Sequence, residues 1–137
     1  MLTAMSDENI KKLLLSARTI AVVGLSPKDS RPSNMVGRYL RTIGYRVIPV
    51  NPGQDQILGS PCYADISAVP GQIDIVDIFR SAEHVLPIVE QAIGAGAGAV
   101  WMQQGIINEK AARRAREAGL VCIMDRCIKI EYARLMV

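Results

Sequence analysis

Thr19-Ile20-Ala21-Val22-Val23-Gly24-Leu25-Ser26-Pro27-Lys28-Asp29-Ser30-Arg31-Pro32-Ser33 is the stretch on which the fold turns. Its first five residues are a short, mostly β-branched apolar run, which reads as a strand buried on both faces. Gly24 stops the run. A polar loop with Pro27 and Pro32 follows, and a helix starts near Ser33, carrying Val36, Leu40 and Ile43 at i, i+4 and i+7. Gly44 ends that helix, as glycine does after a last turn. Tyr45–Val50 is the second strand, closed by the turn Asn51-Pro52-Gly53. Strand, helix and strand in so short a span make a βαβ unit.

The alternation continues outward. Upstream, Ser6-Asp7-Glu8-Asn9 supplies a cap and an acidic first turn for a helix with Ile10, Leu13 and Leu14 on one side. Downstream, Gln54–Tyr63 is irregular, Asp65–Val69 is one helical turn, and Ile73–Phe79 is the third strand. Ser81–Ala95 is a helix and Ala99–Met102 the fourth strand. Asn108 caps a helix with an alanine inner face, Leu120–Met124 is the fifth strand, and a last helix runs from Cys127 to Leu135. This pattern predicts an α/β, Rossmann-type three-layer sandwich with a five-stranded parallel sheet in the order 3-2-1-4-5. The 137 residues fit one domain over 6–137, after a disordered leader at 1–5.

Half the residues are hydrophobic but only 4% are aromatic, so Ile, Val, Leu, Ala and Met must build the core. A net charge of +3, no Lys/Arg run and few rings to stack on bases argue against a nucleic-acid partner. No segment approaches the length of a membrane span. Cys62, Cys122 and Cys127 are odd in number and lack metal-ligand spacing, which suits free thiols in a cytoplasmic protein without a metal.

Ligands of an open parallel sheet sit beyond the carboxyl ends of its strands. In the first loop, Gly24 lets a ligand approach the backbone, Ser26 and Ser30 offer hydroxyls, and Lys28 and Arg31 pair with phosphate. The helix after Ser33 points its N-terminal end at the same place. The bland alternative is a solvated loop with capping serines. The dinucleotide fingerprint G-x-G-x-x-G is missing, and Asn51 stands where an NAD-binding domain places an acid for the ribose. Both features fit a nucleotide with phosphate on its ribose. Phe79-Arg80 offers an apolar surface and a guanidinium, or else a core Phe and a solvated Arg. Gln103 and Gln104 suit hydrogen bonds to neutral amides and cannot act as acid or base. Trp101 points into the core by alternation. His84 is a solvated residue or a cap, with no nucleophile in register. Cys127 stands at a helix start, which can lower a thiol's pKa, against the plainer reading of a buried inert thiol. Asp125, Arg126 and Glu131 form an ion-pair cluster holding the last helix. No catalytic residue is identified.

Five segments together resemble a known family. They are Val23-Gly24-Leu25-Ser26, Val50-Asn51-Pro52, Val76-Asp77-Ile78-Phe79-Arg80, Val100-Trp101-Met102-Gln103-Gln104-Gly105 and Met124-Asp125-Arg126-Cys127. The chain is similar to the small stand-alone CoA-binding domain proteins, and through them to the N-terminal domain of the succinyl-CoA synthetase α subunit. The resemblance implies a Rossmann fold with coenzyme A, or an acyl-CoA, lying across the strand ends. It implies that Gly24-Leu25-Ser26-Pro27 holds the phosphates and that Met102-Gln103-Gln104 makes further contacts. Gln54 falls where the synthetase has a CoA-contacting lysine, and it lacks that charge. The synthetase's phosphohistidine belongs to a second domain, so ligase activity is not implied.

The sequence thus points to non-catalytic binding of a small-molecule nucleotide, with Asn51, Pro52, Phe79 and Arg80 completing the site. The alternatives are an NAD(P)-binding oxidoreductase and a CoA-binding subunit of a larger acyl-CoA ligase assembly. A homo-oligomer or a partner enzyme subunit is compatible with either CoA reading.

Overall fold

The computed structural model describes residues 5–136. In chain order the elements are α1 (Asp7–Ser16), β1 (Thr19–Val23), α2 (Pro32–Thr42), β2 (Arg46–Val50), β3 (Gln56–Ile57), β4 (Ser60–Pro61), β5 (Ile75–Ile78), α3 (Val85–Gly94), β6 (Ala99–Met102), α4 (Glu109–Glu117), β7 (Val121–Ile123) and α5 (Ile128–Met136). Single 3-10 turns occupy Ile66–Ala68 and Ala82–His84. Of the leader expected over 1–5, residues 1–4 lie outside the described residues, and Met5 packs against the core.

Five strands form one parallel sheet in the order β2-β1-β5-β6-β7. Helices α3 and α4 bury Val85, Val89, Ala92, Ala111, Ala112 and Ala115 on one face. Helices α1, α2 and α5 bury Ile10, Leu14, Val36, Leu40 and Ile128 on the other. The α/β three-layer sandwich is therefore as expected. Numbered along the sheet strands alone, however, the order is 2-1-3-4-5 and not 3-2-1-4-5.

The reason lies at the outer edge of β2. The Val50 carbonyl accepts from the Gly24 N–H at 2.8 Å, so Val50 faces β1. Pro49 therefore faces outward, where it has no N–H to offer, and proline belongs on an edge strand. Its carbonyl accepts from the Tyr63 N–H (3.1 Å), and the Asn51 N–H donates to the Tyr63 carbonyl (2.8 Å). The segment Gln54–Tyr63, expected to be irregular, contains the β3–β4 hairpin and lies along this edge. The chain then crosses back to place β5 on the free side of β1. There the Asp74 carboxylate accepts from the Arg18 and Thr19 N–H groups, both at 2.9 Å.

The ion pairs on the last helix differ from expectation. Arg126 and Arg134 both pair with the buried Glu131, and Arg134 also reaches Asp7 at the start of α1. Asp125 is not part of this group; its carboxylate accepts from the Gly105 N–H at 2.7 Å. The Arg134 hydrogen bonds hold both the Glu131 and the Asp7 carboxyl below the usual range.

Asp77, in the middle of β5, is the anomaly of the core. It is fully buried, in register with Val22 on one side and Trp101 on the other, and neither carboxyl oxygen has a hydrogen-bond partner. Burial pushes its pKa well above the ordinary 3.8. The folded state thus keeps a proton that the unfolded chain releases above about pH 4, so this group's contribution to stability falls as pH rises toward the folded pKa. Comparing Asp77→Asn with the parent by urea unfolding at several pH values will show this difference shrinking toward low pH and growing above about pH 4. Parallel stability curves would mean that Asp77 does not titrate in the folded protein.

Candidate functional site

The loops at the carboxyl ends of β1, β5 and β6 converge, and the first two do so in unusually close contact. Gly24 has φ +86°, and a Cβ placed on it would stand 2.5 Å from the Phe79 carbonyl oxygen and 3.2 Å from Arg80 Cδ. A distance of 2.5 Å is far inside van der Waals contact. The glycine expected to admit a ligand is therefore first required by the protein itself, because the end of β5 lies against it. Arg80 stretches its stem over the start of the first loop.

Around this contact lie three adjoining depressions. One, of about 220 Å³, lies between Gly24, Pro52, Asp65, Arg80, His84 and Gln91. The second, of about 400 Å³, lies between Pro32, Val36, Phe79, Gln103, Gln104 and Cys127, and also touches Arg80. The third, of about 290 Å³, follows the first loop past Ser26, Lys28, Arg31 and Ser33. Gly24 and Phe79 border the third as well, and Pro32 borders both the second and the third, so the three lie side by side as a crevice region over the strand ends.

The loop is held by its own polar groups. The Ser26 N–H donates to Ser33 Oγ (2.9 Å), the Lys28 N–H to Ser26 Oγ (3.1 Å), and the Asn34 amide to the Ser26 carbonyl (2.8 Å). Both hydroxyls act here as acceptors, which leaves their hydrogens free to donate outward. The Asn51 amide nitrogen donates to the Leu25 carbonyl at 2.8 Å and ties the second turn to the first loop. Helix α2 begins one residue earlier than expected, with Pro32 in its first turn and Arg31 before it, and no side chain caps its N–H groups. Ser33, expected near the cap, instead holds Ser26. The side chains of Lys28, Arg31 and Arg80 form no hydrogen bond or ion pair among the described residues. Three uncommitted cations thus border a crevice that also meets an uncapped helix N-terminus, a setting for anionic oxygens.

Other expected residues sit differently. Leu25 and Met102 are fully buried in the core and border none of the three depressions. Gln103 is buried with its Oε1 accepting from the Ile128 N–H (3.1 Å), whereas Gln104 is exposed at the mouth. Pro27 and Gln54 are exposed and border none of the three depressions. Trp101 is in the core as expected, with its indole N–H on the Arg126 carbonyl (2.8 Å). Asp65, His84, Pro87, Ile88 and Gln91 form a wall that the sequence reasoning missed. The strand order supplied the missing signal: with β5 beside β1, the sheet's reversal point lies between them and the start of α3 faces it. No group of three or more metal-ligating side chains occurs among the described residues.

Residues 18–133 match the model of a family described as a CoA binding domain. The chain belongs to this family. It is 40% identical over 128 residues to the uncharacterized protein YneT of Bacillus subtilis (strain 168), a match that covers 93% of this chain and 95% of that one. It superposes on a hypothetical protein from Pyrococcus horikoshii OT3 with a TM-score of 0.95 and 38% identity, over 100% of this chain and 99% of the other. It is also 33% identical over 78 residues to an ADP-forming acetate–CoA ligase of Archaeoglobus fulgidus, which covers 57% of this chain but only 11% of the ligase. The chain thus corresponds to one small part of such a ligase.

Gly24→Ala will lower stability by roughly 2 kcal/mol or more, because it adds left-handed strain to a clash with a neighbouring strand. Denaturant unfolding measures this. A loss of only a few tenths would mean that the Phe79 backbone gives way freely.

Proposed function

We propose that this CoA-binding family member holds coenzyme A, or an acyl-CoA, in the crevice at the strand ends and catalyses no reaction of its own. The observation that carries the proposal is the group of neighbouring depressions around Gly24, Phe79 and Arg80, bordered by three cations without partners among the described residues. Coenzyme A carries a diphosphate and a ribose phosphate, so it needs positive groups at more than one point. Lys28, Arg31 and the uncapped start of α2 lie along one part of the crevice, and Arg80 lies between the other two depressions. Phe79, Pro32, Val36, Gln103 and Gln104 give the mixed apolar and amide lining that suits pantetheine. The side chains that border the crevice include no nucleophile hydrogen-bonded to a base, which supports binding over covalent catalysis.

One observation favours a second reading. Asp65 places a carboxylate beside Pro52, near where a dinucleotide-binding domain reads its ribose, and it also accepts from the Ala68 N–H at 3.2 Å. Thermal unfolding distinguishes the two. CoA at 100 times its Kd will stabilise the protein by about 2.7 kcal/mol, and NAD at the same concentration will not. Equal stabilisation by NAD would overturn the assignment.

The same assay, repeated with Arg80→Ala, checks the guanidinium. Its loss will weaken CoA by about 1–3 kcal/mol, the range for a charge-assisted hydrogen bond. Unchanged affinity would remove Arg80 from the site.

A further inference from the structure

The depression between the starts of α2 and α5 contains a donor without an acceptor, and a thiol. Gln103 is only 4% exposed and lines this space. The Ile128 N–H needs the Gln103 oxygen, which fixes the orientation of the amide. Its Nε2 is therefore a donor, and it has no hydrogen-bond partner among the described residues. This donor is not among the fully buried, unpartnered polar atoms, so it is open to the depression that Gln103 lines, where it can meet a carbonyl oxygen of a ligand. The apolar neighbours Pro32, Val36 and Phe79 favour the uncharged end of such a ligand.

Cys127 lines the same depression. It is half-buried and directly precedes α5. The other two thiols are placed differently. Cys122 is buried, and burial pushes its pKa up to about 11. The Cys62 thiol donates to the Asn51 carbonyl, and burial raises its pKa too. Cys127 is thus a thiol on the wall of the space that the proposed function assigns to pantetheine, the arm of coenzyme A that ends in a thiol.

We infer that Cys127 exchanges with the disulfide form of coenzyme A bound in this crevice, forming a mixed disulfide between the protein and one CoA. The inference rests on the CoA assignment. In the step, the Cys127 thiolate attacks one sulfur of the CoA disulfide. The sulfur–sulfur bond of the ligand breaks, a Cys127–CoA disulfide forms, and the second CoA leaves as a thiolate that takes a proton from water. The electrons balance within the two sulfur pairs, and no outside oxidant is needed. Each chain reacts once, and a further thiol reverses the modification by the same chemistry.

The test is incubation of the reduced protein with CoA disulfide, followed by intact-mass and peptide analysis. The expected result is one CoA unit added per chain, at Cys127, removed by dithiothreitol and absent in Cys127→Ser. It will form roughly tenfold or more faster than the adduct from glutathione disulfide at equal concentration, because a bound reactant acts at a raised effective concentration. Desulfo-CoA, which lacks the sulfur, will slow the reaction by occupying the crevice. Labelling shared equally with Cys62, or a rate no better than with glutathione disulfide, would overturn the inference. Calorimetry of the reduced protein with CoA separates the two ideas. CoA binding without labelling of Cys127 sinks the exchange alone, and no binding sinks both.

Discussion

The carbonyl of Phe79 occupies the space where any side chain at position 24 would begin. This contact locks the end of the first sheet strand against the end of the third, and the crevice follows from it. Arg80 is carried over the first loop, and Phe79 is set between the loop and the start of α2. Asp74 fixes the opposite ends of the same two strands by accepting from Arg18 and Thr19. With both ends held, the point where the strand order reverses is fixed by the protein's own contacts, and ligand groups meet a surface that is already formed. Such preorganisation lessens the ordering cost of binding.

Much of the fold was legible in the sequence. The strands Thr19–Val23 and Ala99–Met102 have the bounds expected for them, because each is an apolar run with an abrupt polar or glycine stop. The caps at Ser6 and Asn108 also behave as their residue types suggest, accepting from Asn9 and Ala111. The order of strands was misjudged although a clue was present. Pro49 marks its strand as an edge, which the expected order does not allow. The β3–β4 hairpin was hidden for another reason. Its turn places Leu58 at φ +54° before Gly59, and a leucine in the left-handed region gives no turn signal.

The site was legible in its loops and less so in its walls. Charged and small residues after the strands announced themselves by composition. Leu25 and Met102 sit within the same motifs but face the core, because alternation along a strand and its exit continues past the last ladder bond. Asn51 and Gln103 carry amides whose visible duties are internal, one tying two loops together and the other completing the first turn of α5. The wall from Asp65 to Gln91 comes from segments distant in sequence, and only the three-dimensional order of strands brings it to the crevice.

The two borders of the sheet have a consequence for assembly. At one border Pro49 has no N–H, and Tyr63 already occupies its carbonyl. At the other, the outward carbonyl of Cys122 accepts from the Arg116 guanidinium. A neighbouring molecule that tried to extend the sheet would find some of its hydrogen-bonding positions removed or taken on either flank, a defence against fibril-like stacking.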